Sequence, residues 1–373
     1  MKLTTIELRQ INCQKVYDFI YERRVVSKQM IADELKMSIP TIAQDLNYLS
    51  EKNLICEDGF AKSTGGRPPV LFRCNENAKV AVGVEVMFDR LNIYAVNIVG
   101  NVLKSMTRMI SFIAEDAYYR AVGQTVSTFV SELDVEEDSI LGVGVAIQGI
   151  ISFDGERLVY SGILNNSDIT REDFARYLKW PCYLFHDSDS AGYAESRYDK
   201  NIAKAAYIYL NPYFGSTMIL DGKVIQDEDI SSGIFAHMCL YPGGKQCYCG
   251  KKGCVDAYCS AKALERESGE ETEVFFEKLR KGGKHEKAVW KKYLQNLAIV
   301  INNIRMVINC DFVIGGKLER YMIDEDYERI KEYARNANAF NSAGFQIKQG
   351  HYGDTAAPIG AALILIDKYL ANV

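Results

Sequence analysis

The sequence feature that most constrains this chain is one histidine and three cysteines at the spacing of metal ligands. His237, Cys247, Cys249 and Cys254 follow the pattern H-x9-C-x-C-x4-C, and the three cysteines fall within eight residues. A tetrahedral zinc ion takes four nitrogen and sulfur donors of this kind, and a full set of four protein ligands is typical of a structural site. The spacing predicts a zinc ion that fixes the loop of residues 233–260. The alternative is a chance cluster of buried thiols.

The cysteine content also bears on the compartment. The chain has 373 residues and 10 cysteines, and it shows neither the apolar core of an export signal nor an apolar run of membrane-spanning length. Thiols in the cytoplasm are reduced or bind metals. We therefore expect a cytoplasmic protein without membrane contact, in which Cys239 and Cys259 are packed neighbours of the metal ligands.

Net charge limits the kind of nucleic-acid contact. A formal charge of −5 excludes broad affinity of the histone type, so any DNA contact must be local. Residues 1–75 carry 11 Lys and Arg against 9 Asp and Glu, whereas the remainder of the chain is acidic. The length predicts two or three domains.

Three helices are predicted in residues 1–75. The first covers residues 6–21, and Ser27 and Ser38 are the predicted N-caps of the second and third. Two short helices joined by a tight turn and followed by two strands predict a winged helix-turn-helix that binds DNA. The alternative is a small helical bundle used for dimerisation. The predicted outer face of the third helix presents Pro40, Thr41, Gln44, Asp45 and Tyr48.

The connection between the two strands is rich in glycine and proline. Residues 63–69 read STGGRPP, which presents Arg67 between rigid neighbours, with Lys62 just before it. An arginine held in this way suits a narrow minor groove. The alternative is an arginine in a solvated loop.

From residue 79 onward, runs of strands alternate with helices. One run is followed by a strand at 140–150 and another at 182–186, and the same order returns after residue 204. This repetition predicts an α/β protein with two similar lobes.

The metal-ligand loop and the GGRPP segment resemble the ROK family, a group of sugar kinases and sugar-responsive transcriptional repressors. The resemblance implies a two-lobed α/β fold of the actin/hexokinase type, with a ribonuclease H-like repeat, behind an N-terminal winged helix-turn-helix. The implied domains are residues 1–75, residues 76–187 completed by the C-terminal helix at 354–373, and residues 188–353 with the zinc loop.

The resemblance also implies a sugar-binding cleft. Asp187 stands where the family has its catalytic aspartate, and His186 replaces the asparagine before it. His237 is implied to orient the sugar while it holds zinc, and Asp256 stands in place of a sugar-binding glutamate. Ile234 occupies the position of another such glutamate, which makes one side of the pocket apolar. An alternative role for Asp187 is the N-cap of the following helix.

The phosphate-binding turns of the family's kinases are not retained. Met87, Phe88 and Asp89 stand where the first turn has glycines, and residues 211–215 keep only the final glycine of the second. We therefore expect that no residue catalyses phosphoryl transfer and that Asp187 is a vestigial base. The expected protein is a DNA-binding repressor of carbohydrate-related genes, homodimeric or of higher order, that senses a sugar or sugar derivative. Two alternatives are an active sugar kinase and a DNA-binding protein whose cleft answers to a protein partner.

Overall fold

A computed structural model describes residues 5–61, 68–164, 168–226, 233–340 and 344–372. Lys62 and Arg67, which the sequence predicts to contact DNA, lie outside these ranges. Within them, no helix has both the length and the apolar character needed to cross a membrane.

The N-terminal unit consists of three helices and a small antiparallel sheet. Ser27 and Ser38 are N-caps, as the sequence predicts, because their hydroxyls accept hydrogen bonds from the Met30 and Thr41 N–H groups. The strands lie in the order β1-β3-β2. The elements are α1 (Thr5–Arg23), β1 (Val25–Ser27), α2 (Lys28–Leu35), α3 (Ile39–Glu51), β2 (Ile55–Phe60) and β3 (Val70–Cys74).

The first lobe is a five-stranded sheet in the order β10-β7-β4-β5-β6. Strands β4, β5 and β6 form an antiparallel meander, while β7 and β10 continue the sheet in parallel. Its elements are β4 (Val80–Val86), β5 (Arg90–Asn97), β6 (Val102–Met109), α4 (Asp116–Ser131), β7 (Ile140–Ile147), β8 (Ile150–Ile151), β9 (Leu158–Tyr160), α5 (Arg171–Ala175), β10 (Cys182–His186) and α6 (Asp187–Tyr198).

The second lobe repeats this sheet in the order β13-β12-β11-β14-β15. Three antiparallel strands are again followed by two parallel ones, as the repeated sequence pattern predicts. Its elements are β11 (Lys204–Leu210), β12 (Phe214–Leu220), β13 (Lys223–Val224), α7 (Asp256–Cys259), α8 (Ala261–Ser268), α9 (Thr272–Arg280), α10 (Lys284–Val307), β14 (Asp311–Gly315), α11 (Asp324–Ala337) and β15 (Ile347–Gln349). The last helix, α12 (Ala356–Leu370), returns to the first lobe.

Helices α6 and α12 pack against each other, and α12 also covers β4 and β7 of the first lobe. Gly360 permits this approach, because a Cβ there would overlap the backbone carbonyl of Ser190 on α6. The start of α6 is thereby held at the end of β10, which is where the cleft between the lobes begins.

Candidate functional site: a Cys3His cluster beside an interlobe cleft

The four predicted metal ligands converge in the second lobe. Their donor atoms all lie within 4.8 Å of one another. His237 Nδ1 is 3.8 Å from Cys247 Sγ, and Cys249 Sγ is 3.7 Å from Cys254 Sγ. Gly253 has φ +86°, and a Cβ there would overlap the Tyr241 carbonyl. Glycine is therefore required where the loop turns back toward the cluster.

The donor set fits a tetrahedral metal ion. Metal–sulfur bonds of about 2.3 Å at tetrahedral angles place two sulfurs about 3.8 Å apart, which agrees with the separation of Cys249 and Cys254. Burial lowers the pKa of His237, which favours the neutral imidazole that a metal requires. The Tyr248 hydroxyl lies 3.3 Å from its other nitrogen and so fixes the ring orientation.

The two remaining cysteines of this region differ from each other. Cys259 is buried, as expected of a packed neighbour, but Cys239 is exposed, contrary to the sequence prediction. Neither belongs to the cluster. The backbone of Cys239 pairs with that of Cys254, so residues at equivalent positions of this bridge differ in burial.

Asp187 and His186 lie at the junction of β10 and α6. The Asp187 carboxylate accepts hydrogen bonds from the Ser188 N–H at 2.7 Å and from the Ser188 hydroxyl at 3.2 Å. His186 is the N-cap residue and Asp187 the first residue of α6, so the predicted N-cap position is shifted by one. Burial raises the pKa of Asp187, and the neighbouring His186 opposes this rise.

A small inner cavity of about 60 Å³ connects this junction to the metal cluster. Asp187, His186, Ile234 and His237 all line it, so four of the five predicted ligand-binding residues are brought together. Ile234 faces this space, as the sequence comparison with the family's glutamate implies.

Asp256 does not line the inner cavity. Its carboxylate is buried and accepts a hydrogen bond from the Phe214 N–H at 2.8 Å. Asp256 lines a separate cavity with Lys262 and Arg266, and Tyr248 contributes to both spaces. The carboxylate thus stabilises the turn that precedes β12 in this arrangement.

A larger outer cavity of about 430 Å³ adjoins the inner one and was not predicted from the sequence. It lies along β10, the edge strand of the first lobe, between the turn after β8 and the end of α12. The sequence signal that could have indicated it is the alternation of Tyr183 and Phe185 with Cys182 and Leu184, which are buried. The cavity is lined by Phe153, Arg171, Tyr183, Phe185, His186 and Lys368, among others.

Two further positions are those that the family resemblance matches to the phosphate-binding turns of the kinases. Met87 is buried, and its sulfur accepts contacts from Arg90 Nε at 3.4 Å and Asn92 Nδ2 at 3.6 Å. The Asn211 side chain accepts a hydrogen bond from the Lys317 N–H at 2.8 Å. Burial raises the pKa of Glu85, beside Met87, to about 7. Glu85 Oε2 accepts a hydrogen bond from Asn92 at 2.8 Å, while its Oε1 is buried without a hydrogen-bond partner among the described residues.

On the N-terminal unit, α3 presents most of the predicted outer face. Pro40 and Gln44 are exposed, and Thr41 is half-buried. Asp45 is buried, which corrects the prediction that it lies outside, because α1 packs over this side of α3. Tyr48 is half-buried between the Arg9 and Lys52 cations.

Comparison with known proteins identifies relatives along the whole chain. The family described as "ROK family" matches residues 81–368. The xylose repressor of Bacillus subtilis (strain 168) is 21% identical over an alignment 376 positions long, which covers 97% of each chain. The DNA-binding transcriptional dual regulator NagC of Escherichia coli (strain K12) is 20% identical over 263 residues, or 69% of this chain and 64% of its own.

Solved structures share the fold. A ROK family transcriptional regulator, a homologue of the E. coli MLC protein, aligns with a TM-score of 0.78 at 18% identity over 98% of this chain and 97% of its own. A ROK family glucokinase from Streptomyces griseus aligns with a TM-score of 0.67 at 17% identity, over 76% of this chain and 98% of its own. About a quarter of the present chain therefore has no counterpart in the kinase.

Proposed function

Because the chain belongs to the ROK family, we propose that it is a DNA-binding transcriptional regulator, and specifically a repressor of carbohydrate-related genes. The observation that carries this proposal is a compact unit of three helices and a three-stranded sheet in front of a two-lobed, kinase-like body. The added unit has the element order of a winged helix-turn-helix, with α3 as the recognition helix. The whole chain would act as a homodimer on a two-fold operator.

The proposed DNA contacts combine base reading with phosphate binding. Gln44 is exposed on α3 and has the side-chain amide that pairs with adenine in a major groove. Pro40, Thr41 and Tyr48 would pack around it. Lys62 and Arg67, in the segment between β2 and β3, are proposed to contact the backbone and the adjacent minor groove.

The interlobe cleft is the proposed sensor. Asp187 offers a buried carboxylate to sugar hydroxyls, with the His186 imidazole beside it and His237 in the wall of the same cavity. The Cys3His cluster would hold a structural zinc ion, since four protein ligands leave no open position for chemistry. Zinc would thus fix His237 in the wall of the sensor.

We infer that the chain does not transfer phosphoryl groups. Kinases of this kind need glycine turns whose backbone amides approach phosphate oxygens. Buried Met87 and the bonded Asn211 occupy those turns here. Purified protein incubated with ATP and common hexoses should therefore yield no sugar phosphate, and turnover at rates typical of kinases would refute this part of the proposal.

A second candidate function keeps the DNA-binding unit but gives control of the cleft to a protein partner. The observation that favours it is the small inner cavity with apolar Ile234 in its wall. Fluorescence anisotropy distinguishes the two candidate functions. The affinity of the protein for an operator duplex is measured with and without each member of a panel of sugars and sugar phosphates. A sugar that lowers the affinity supports the proposed sensor, whereas no effect from any of them supports control by a partner.

A further inference from the structure

The two cavities of the cleft differ greatly in size. Sites for small molecules usually enclose roughly 300–1,000 Å³. The outer cavity, at about 430 Å³, lies in this range, whereas the inner cavity at Asp187 has about 60 Å³. A ligand that used the inner cavity alone would leave the larger, adjoining space empty.

The two cavities are contiguous. Ile150, His186, Ser216 and Ile234 line both of them. His186 carries hydrogen-bonding nitrogens at this junction, with Asp189 on the outer side at 3.5 Å. A single elongated ligand can therefore extend from Asp187 past His186 into the outer cavity.

The outer cavity has the walls of a ring-binding site. Phe153 is 63% exposed and Tyr183 is 37% exposed, although both line a concave space. Lys368 lies over the Tyr183 ring at 5.2 Å and over the Phe185 ring at 5.5 Å, so its ammonium group covers one face of each ring and leaves the other face of Tyr183 for a ligand. Aromatic faces of this kind bind the flat apolar face of another ring.

We propose that the effector is a two-ring glycoside, with one ring at Asp187 and the second in the outer cavity against Phe153 and Tyr183. This inference rests on the proposed sensor function and specifies its ligand. The shared chemistry of the second ring is an apolar face, which either a second pyranose or an aryl group supplies. Apolar Ile234 contacts the linkage region, where the family's glutamate would otherwise require a hydroxyl.

Calorimetry on the purified full-length chain tests the proposal. The probes are D-glucose, D-xylose and N-acetyl-D-glucosamine, their β-1,4-linked dimers, and their 4-nitrophenyl β-glycosides. At least one two-ring ligand should bind roughly tenfold more tightly than its monosaccharide, as stacking on an aromatic side chain implies. Preference for the dimer identifies a second sugar ring, and preference for the nitrophenyl glycoside identifies an aryl group.

Variants locate the second ring. Phe153→Ala and Tyr183→Ala should each weaken binding of the two-ring ligand about tenfold and leave monosaccharide affinity within a factor of about two. Phe340→Ala is a matched control, because this aromatic side chain is equally exposed but lies outside both cavities. Unchanged DNA affinity shows that each variant is folded.

Two outcomes would overturn the inference. One outcome is that a monosaccharide binds as tightly as its two-ring derivatives, or that Phe153→Ala and Tyr183→Ala weaken binding of the monosaccharide and of the two-ring ligand equally. The proposal of a two-ring effector is then wrong, while the proposed sugar sensor stands. If no carbohydrate of either size binds, the sensor function itself is refuted, and the inference with it.

Discussion

His186 lies between two carboxylates of the cleft. Its Nε2 lies 3.4 Å from Asp187 and its Nδ1 lies 3.5 Å from Asp189. Burial lowers the pKa of His186, but the two carboxylates outweigh burial and raise it to about 9. The resulting imidazolium stabilises the Asp187 carboxylate in a site where burial alone raises the pKa of that group.

This arrangement predicts a pH-dependent contribution to stability. Because the pKa of His186 is about 9 in the folded chain and about 6.5 in an unfolded one, the folded chain binds more protons between these values, and stability falls as the pH rises. Urea unfolding of wild type and His186→Gln should therefore differ most below about pH 6.5, and the difference should diminish toward pH 9.

The matched control for this measurement is His285→Gln, since His285 is exposed at the start of α10. Its unfolding curve should run parallel to that of wild type. A difference between wild type and His186→Gln that stays constant across the pH range would show that His186 is not held as an imidazolium.

The Cys3His cluster predicts that metal and stability are lost together. Cys247→Ser removes a ligand, so metal affinity should fall by more than the roughly 10- to 100-fold that loss of an outer-shell partner causes. The unfolding temperature should fall with it. Cys239→Ser is the control, because this thiol lies in the same loop but is exposed and outside the cluster.

Metal content by mass spectrometry and thermal unfolding are the measurements for both cysteine variants. Wild-type protein that retains full stability with well under one equivalent of bound metal would contradict the structural role. If Cys239→Ser and Cys247→Ser lower the unfolding temperature equally, the loss of stability comes from substitution in the loop and not from loss of the metal.

Among elements, those with caps or strong apolar patterns were predictable from the sequence. The Ser27 and Ser38 caps and the limits of β10 agree with the pattern, because local hydrogen bonds and alternation specify them. The hairpin of β8 and β9 was not predicted, since strands of two and three residues carry too little pattern.

Features that depend on packing between distant elements could not be predicted. Asp45 is buried because α1 lies over it, and helical periodicity does not reveal which neighbour covers a helix. The outer cavity likewise forms only when the turn after β8, the β10 edge and the end of α12 come together. The Cys3His cluster was predictable because its four residues lie within one short segment.

The proposal that α3 reads DNA predicts a specific loss of operator affinity. Gln44→Ala should weaken operator binding by about 1–3 kcal/mol and relax selectivity at one base pair, because an amide bidentate to adenine is lost. Affinity for non-specific DNA should be unchanged. Gln29→Ala on α2 is a matched control, since Gln29 is also exposed and hydrogen-bonds Asp33 within its own helix. Equal affinities of wild type and Gln44→Ala across operator variants would exclude Gln44 from base reading.

At the scale of the whole molecule, α6 connects the cleft to the N-terminal unit. It begins at Asp187, and beyond its end Lys200 pairs with Glu22 of α1 at 2.8 Å. Arg197, near the same end, lies over the Tyr21 ring at 5.9 Å and pairs with Asp367 at 2.9 Å. A displacement of α6 on ligand binding would therefore reach α1 through these contacts.

This connection predicts that Lys200→Glu weakens the coupling between ligand binding in the cleft and DNA binding by the N-terminal unit, without unfolding the chain. An exposed ion pair contributes about 0–1 kcal/mol to stability, so the unfolding free energy should change little. The ratio of operator affinities without and with ligand should fall by roughly two- to fivefold. The double variant Lys200→Glu with Glu22→Lys should restore the ratio of affinities. If the ratio is unchanged in the single variant, the contact between Lys200 and Glu22 does not carry the coupling.

Selection of random duplex DNA by the purified, metal-loaded chain is the most direct test of a sequence-specific regulator. Successive rounds should enrich an inverted repeat, because a homodimer presents two α3 helices about one helical turn apart. Gln44→Ala should enrich a repeat in which one base pair of each half-site is no longer selected, whereas Gln29→Ala should enrich the same repeat as wild type. Recovery of sequences with no common motif after repeated rounds, by a chain that is folded and carries its metal, would contradict the proposed function.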